Sequence, residues 1–74
     1  MRPLDQLTPG EEAEVLRIGG PSAFVRRLVA LGVAPGVTVR MVRRAPLGDP
    51  LELAVNGFHL SIRAAEARDV EVSS

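Results

Sequence analysis

The chain has 74 residues, with nine basic and nine acidic side chains that give a formal net charge of zero. It holds one histidine, no cysteine and no lysine, and its only aromatic residues are Phe24 and Phe58. Such a chain lacks the positive field that non-specific nucleic-acid binding needs, cannot be stapled by disulfides or thiolate-bound metal, and carries no apolar run long enough to enter a membrane directly.

The length predicts one domain over 1–74, with a core built from Val, Leu, Ile and Ala. Leu4 and Leu7 flank a short entry segment that ends in the turn residues Thr8-Pro9-Gly10. Glu12–Ile18 predicts a strand. Ala13 and Val15 alternate with Glu12 and Glu14, and the phase then switches, which predicts a bulge near Leu16. Gly19-Gly20-Pro21 breaks that strand, and Ser22 is the expected N-cap of a helix over 23–31. Phe24, Leu28 and Leu31 share its apolar face, and Gly32 is the expected left-handed residue past its end. An isolated helix this short is unstable in water, so it must lie on a sheet.

After the Ala34-Pro35-Gly36 turn, Val37, Val39 and Met41 alternate with Thr38, Arg40 and Val42 to give a second strand ending at Arg43-Arg44. Pro46, Gly48, Asp49 and Pro50 mark a loop. Leu51–Val55 and Phe58–Ile62 alternate as two strands joined by Asn56-Gly57, the signature of a type I′ hairpin. Ala64 to Asp69 has room for one helical turn before a last strand at Val70 and Val72. About five short strands that hide one another's edges, with one short helix between the first and second, predict a mainly β fold, a small SH3-like barrel. An open α+β roll with the helix on one sheet face is the other arrangement this order allows. The expected core is Val15, Ile18, Leu28, Leu31, Val37, Val39, Met41, Leu51, Leu53, Leu60, Ile62 and Val70.

The residue inventory argues against enzymatic chemistry. His59 points away from Phe58, Leu60 and Ile62 and is expected at the surface. A transition-metal site needs three or four convergent N, S or O ligands, so one histidine without cysteine predicts no metal site in a single chain. A site shared between chains with Glu52 or Asp49 stays conceivable. Ser61 lies two residues from His59 on the same strand face but lacks a third orienting group, so no catalytic residues are assigned. Without lysine, a Walker-type phosphate cradle is excluded, and no cofactor is expected. Proline-rich ligands need aromatic grooves that a chain without Tyr or Trp cannot build.

Three stretches carry a family pattern: Arg27-Leu28-Val29-Ala30-Leu31-Gly32-Val33-Ala34-Pro35-Gly36, Arg44-Ala45-Pro46-Leu47-Gly48-Asp49-Pro50, and Gly57-Phe58-His59-Leu60-Ser61-Ile62-Arg63-Ala64-Ala65-Glu66-Ala67. With the opening Leu4-x-x-Leu7-x-Pro9-Gly10, they resemble the FeoA-like family, the ferrous iron transport protein A domain. The resemblance implies a small cytoplasmic SH3-like barrel that works by protein contact beside the membrane Fe(II) transporter, a protein with a GTP-binding domain. It also implies no catalytic residues. The family often carries a transition-metal-binding label, and similar domains form the C-terminal part of iron-dependent repressors. A metal- or effector-binding regulatory domain is therefore the alternative, although no helix-turn-helix precedes the domain here. A weak homo-oligomer is left open.

The expected partner surface is the loop between the second and third strands, with Arg43, Arg44, Pro46, Leu47 and Asp49. Leu47 sits at its exposed tip. An apolar anchor among arginines is the composition of an interface hot spot, and the helix residues Arg26 and Arg27 extend it if they lie beside that rim. The same residues read equally as a solvated loop.

Overall fold

The computed structural model describes residues 1–73. Strands β1 (Arg2–Pro3), β2 (Glu12–Ile18), β3 (Thr38–Arg44), β4 (Leu51–Val55), β5 (Phe58–Ile62) and β6 (Val70–Val72) are joined by helices α1 (Ser22–Ala30) and α2 (Ala64–Ala67) and by a 3-10 turn at Leu4–Gln6. Every pairing is antiparallel, in the order β1-β6-β2-β3-β4-β5. The described residues thus form six strands, one more than the alternation in the sequence predicts. Arg2–Pro3 is the addition.

β2 is the corner of the barrel. Glu12, Ala13 and Glu14 pair with β3, whereas Val15, Arg17 and Ile18 pair with β6, and the register shifts between Val15 and Arg17. The bulge expected near Leu16 lies there, and it leaves Leu16 exposed. A second shift between Met41 and Arg43 bends β3 in the same way. Bulges of this kind increase local twist, so one strongly coiled sheet wraps both ends around a single core. Hydrogen bonding does not close the ring, because β1 and β5 are its two edges.

Fifteen apolar residues among those described are buried, including Val15, Leu28, Val39, Met41, Leu51, Leu53, Ile62 and Val70. Ile18, Val37 and Leu60 are only partly buried and pack against that cluster. Leu31 is 42% exposed, which corrects its assignment to the core: it is the C-cap of α1, and the chain turns away there. Leu4, Leu7, Val33, Val55 and Val72 enter the core as well. Phe58 is 55% exposed although its neighbours Leu60 and Ile62 face inward.

The helix starts one residue earlier than expected. Pro21 is the N-cap, Ser22 is already helical, and no side chain caps the helix. Its end follows the sequence: Gly32 donates to the Val29 carbonyl at 3.0 Å and Val33 donates to that of Leu28 at 2.9 Å. That bond pair is a Schellman motif, with Gly32 at φ 96°. A Cβ at this position would lie 3.6 Å from Asn56 Nδ2, ordinary contact, so the cost of adding one is conformational. Gly32→Val is expected to destabilise the fold by about 1–2 kcal/mol, the penalty of a left-handed L-residue. Urea unfolding checks this, and a midpoint equal to wild type would contradict the motif. Asn56 at φ 48° and Gly57 at φ 88° form the expected type I′ turn.

Candidate partner-binding surface

The loop from 45 to 50 is built rather than slack. Ala45 donates to the Pro50 carbonyl at 3.1 Å, and Gly48 donates to that of Ala45 at 2.7 Å, closing a turn with Leu47 at its tip. Leu47 is 95% exposed, as its tip position predicts. Pro46 beside it is also exposed.

The arginines of the sequence-predicted patch divide by what already holds them. Arg43 Nε lies 3.2 Å from Glu52 Oε2, on a pair that is half exposed on both sides. Arg44 is turned toward the N-terminal segment, donating to the backbone carbonyls of Asp5 and Leu7. Arg26 is exposed on α1 and has no hydrogen-bond or ion-pair partner among the described residues. Arg27 lies with its guanidinium carbon 5.6 Å from the Phe24 ring centroid and donates to Glu66 Oε2 at 2.8 Å.

Asp49 is held as well. Its Oδ1 accepts from the Ala64 backbone N–H at 2.8 Å, which satisfies an orphan donor at the start of α2. Glu66 Oε1 accepts from the Arg63 N–H at 2.9 Å. That backbone bond, working against partial burial and helped by the Arg27 guanidinium, holds the Glu66 carboxyl below its ordinary value. The loop is therefore tied to α2 through Asp49, and α2 to α1 through Glu66 and Arg27. A cleft of about 380 Å³ opens along this seam, lined by Arg27, Asp49, Pro50, Ile62, Arg63 and Glu66, among others. Two of the sequence-predicted residues, Arg27 and Asp49, thus meet across residues that the sequence reading left out. The available signal was a glutamate three residues after Arg63. A capping box normally shows Ser or Thr at its first position; an arginine there cannot accept, and Asp49, from a distant loop, instead takes the first N–H of the turn, that of Ala64.

His59 stands on the outer sheet face in a shallow depression with Glu12, Thr38, Arg40 and Ala54. Among the described residues no three His, Cys, Asp or Glu side chains converge. The carboxylates considered for a shared site are engaged, Glu52 by Arg43 and Asp49 by Ala64. A cationic Arg40 beside a lone imidazole is a poor donor set for a resident transition metal. The residues present do not fit the metal that the family label implies.

A sequence profile of the FeoA domain matches residues 2–74. The chain belongs to the FeoA domain family. A FeoA protein from Chlorobium tepidum, solved by NMR, superposes with a TM-score of 0.91 at 40% identity, covering 95% of this chain and 67% of that one. Stenotrophomonas maltophilia FeoA, solved in complex with zinc and described as a prokaryotic SH3 domain protein, superposes at 0.81 with 32% identity over 99% of this chain and 91% of that one. The FeoA barrel is also the fold shared with a manganese-dependent transcriptional repressor, at a TM-score of 0.88 and 19% identity over 99% of this chain and 41% of the repressor. In Porphyromonas gingivalis, a fusion of Fe(2+) transport protein A with the Fe(2+) transporter FeoB is 32% identical over 69 residues. Those residues are 93% of this chain, and the match spans 8% of the fusion protein. Among the described residues no helix is long and apolar enough to cross a membrane.

Proposed function

We propose that this FeoA domain is an accessory module of bacterial ferrous iron uptake, acting in the cytoplasm by docking on the membrane Fe(II) transporter and modulating it. The observation that carries this reading is the Porphyromonas relative, where a FeoA segment and the transporter FeoB share one polypeptide. Fusion keeps two segments at high effective concentration, which serves a contact between them. The contact is proposed at the 45–50 loop, with Leu47 and Pro46 as apolar anchor and Arg43 and Arg26 as the charged rim. Asp49 and Arg27 present the loop by fixing it to α2 and α1. Arg44 serves from beneath, as a strut for the N-terminal segment.

Immobilised GTP-binding cytoplasmic domain of the transporter is expected to retain the wild-type chain, and GTP hydrolysis measured alongside is expected to change in rate. Leu47→Asp should abolish retention while leaving the thermal midpoint unchanged, because an almost fully exposed side chain contributes nothing to the core. Absence of wild-type retention would overturn the transporter reading, and unchanged retention of Leu47→Asp would move the contact off this loop.

A further inference from the structure

The two edges of the sheet are unequal. β1 is two residues long and ends in Pro3, which has no N–H to offer, and short proline-bearing edges resist pairing. β5 is five residues long, Phe58-His59-Leu60-Ser61-Ile62, without proline or a fixed charge. It pairs with β4 on one side, and among the described residues no strand covers the other.

Which backbone groups face outward follows from the hairpin. In a two-residue type I′ connection the residues flanking the turn exchange both hydrogen bonds, and bonded pairs then alternate along the ladder. Val55 is opposite Phe58, Leu53 opposite Leu60, and Leu51 opposite Ile62. The N–H and C=O groups of Phe58, Leu60 and Ile62 therefore point to β4, and those of His59, Ser61 and Arg63 point outward. Arg63 is already satisfied: its N–H donates to Glu66 Oε1, and its carbonyl accepts from Glu66 and Ala67. The free edge reduces to four groups, on His59 and Ser61.

We infer that β5 pairs with β5 of a second copy of this chain, antiparallel about a two-fold axis at Leu60, with His59 opposite Ser61 of the other copy. This register engages all four free groups in both copies. It places Leu60 opposite Leu60, and Phe58 opposite Ile62, as non-bonded pairs, the class with the closest side-chain contact. The exposed Phe58 ring then lies beside Ile62 of the other copy, at the cleft that Pro50 and Arg27 also line. A ring left outside on an inward-facing phase thereby gains an apolar neighbour.

The occupant is a second copy because the strand is complementary to itself. No fixed charge meets its like across the axis, and the chain's zero net charge sets up no global repulsion. The other edge cannot accept β5, so head-to-tail growth is blocked, and the isologous pair closes as a dimer.

The absence of cysteine from the chain gives a direct register test. His59→Cys and Ser61→Cys variants, mixed under mild oxidation, are expected to form the 59–61 cross-linked dimer in preference to either homodimer. Wild type should sediment with a coefficient that rises with concentration. His59→Lys combined with Ser61→Lys alters two exposed side chains, so its thermal midpoint should hold. It creates two like-charge cross-strand pairs and should weaken association by about tenfold or more. A wild type that stays monomeric at millimolar concentration overturns the inference, as does a cross-linking pattern that favours homodimers. A monomer whose β5 edge instead binds a strand of the transporter also overturns it.

Discussion

Leu28→Ala is expected to cost about 2–5 kcal/mol, the range for emptying a buried leucine site. Leu28 is the one fully buried residue of α1, at 1% exposure. A helix of nine residues has no stability of its own in water, so its attachment rests largely on this side chain, with half-buried Phe24 and Val25 beside it. The Leu28 carbonyl also accepts the Val33 N–H of the Schellman turn, so loosening the residue loosens the helix end. A domain of this size has about 4–11 kcal/mol in all, and the thermal midpoint should fall by about 10 °C or more. Leu31→Ala is the internal control. It removes the same atoms from a residue 42% exposed and should cost less than about 1 kcal/mol. Equal losses in the two variants would contradict this orientation of the helix.

Leu28 and Leu31 also mark how far the sequence could be read. Their spacing names one helix face, and only the position of the helix end on the barrel decides that one is buried and the other open. Strand alternation was legible wherever one sheet face meets the core. β4 is the clearest case, with Leu51, Leu53 and Val55 buried and Glu52 and Ala54 less so. Phe58 has the right phase for burial yet lies at the start of an edge strand, where it is covered only in part, and periodicity carries no information about edges. Arg2–Pro3 is too short to show any period. Leu4 and Leu7 show none either, although both are fully buried.

The candidate site was legible in part. Loop position and apolar character were enough to place Leu47 at an exposed tip. A run of arginines reads as one charged patch in sequence, but adjacent strand residues point to opposite faces. Arg43 and Arg44 therefore meet different neighbours, a carboxylate on β4 and the backbone of the N-terminal segment. Nothing in the one-dimensional pattern distinguishes an arginine that awaits a partner from one already bound within its own chain.

That distinction has a measurable consequence. Arg44→Ala is expected to destabilise the fold by about 1.5–3 kcal/mol, the range for hydrogen bonds to a charged group, whereas Arg43→Ala should cost no more than about 1 kcal/mol, as exposed ion pairs do. Arg44 bonds the carbonyls of Asp5 and Leu7, and its distance to Leu7 is 3.1 Å. The first of those carbonyls lies within the 3-10 turn and the second just past its end, in the segment that sends Leu4 and Leu7 into the core. Without the guanidinium both carbonyls lose their shared donor, although the segment keeps the Leu7 N–H bond to the Leu4 carbonyl, the β1–β6 pairing, the Asp5–Arg68 and Arg2–Glu11 ion pairs and the bonds between Gly10, Glu11 and Met41. Arg44→Lys should recover only part of the loss, because an ammonium lacks the planar fork that spans two acceptors. Amide exchange should locate the effect, with protection falling at residues 4–7 first in Arg44→Ala and unchanged there in Arg43→Ala. Transporter binding by Arg44→Ala should follow its folded fraction, whereas Arg43→Ala should weaken binding by more than its small loss of the Glu52 ion pair accounts for. Equal stability of Arg44→Ala and wild type, with binding lost, would return Arg44 to the docking surface.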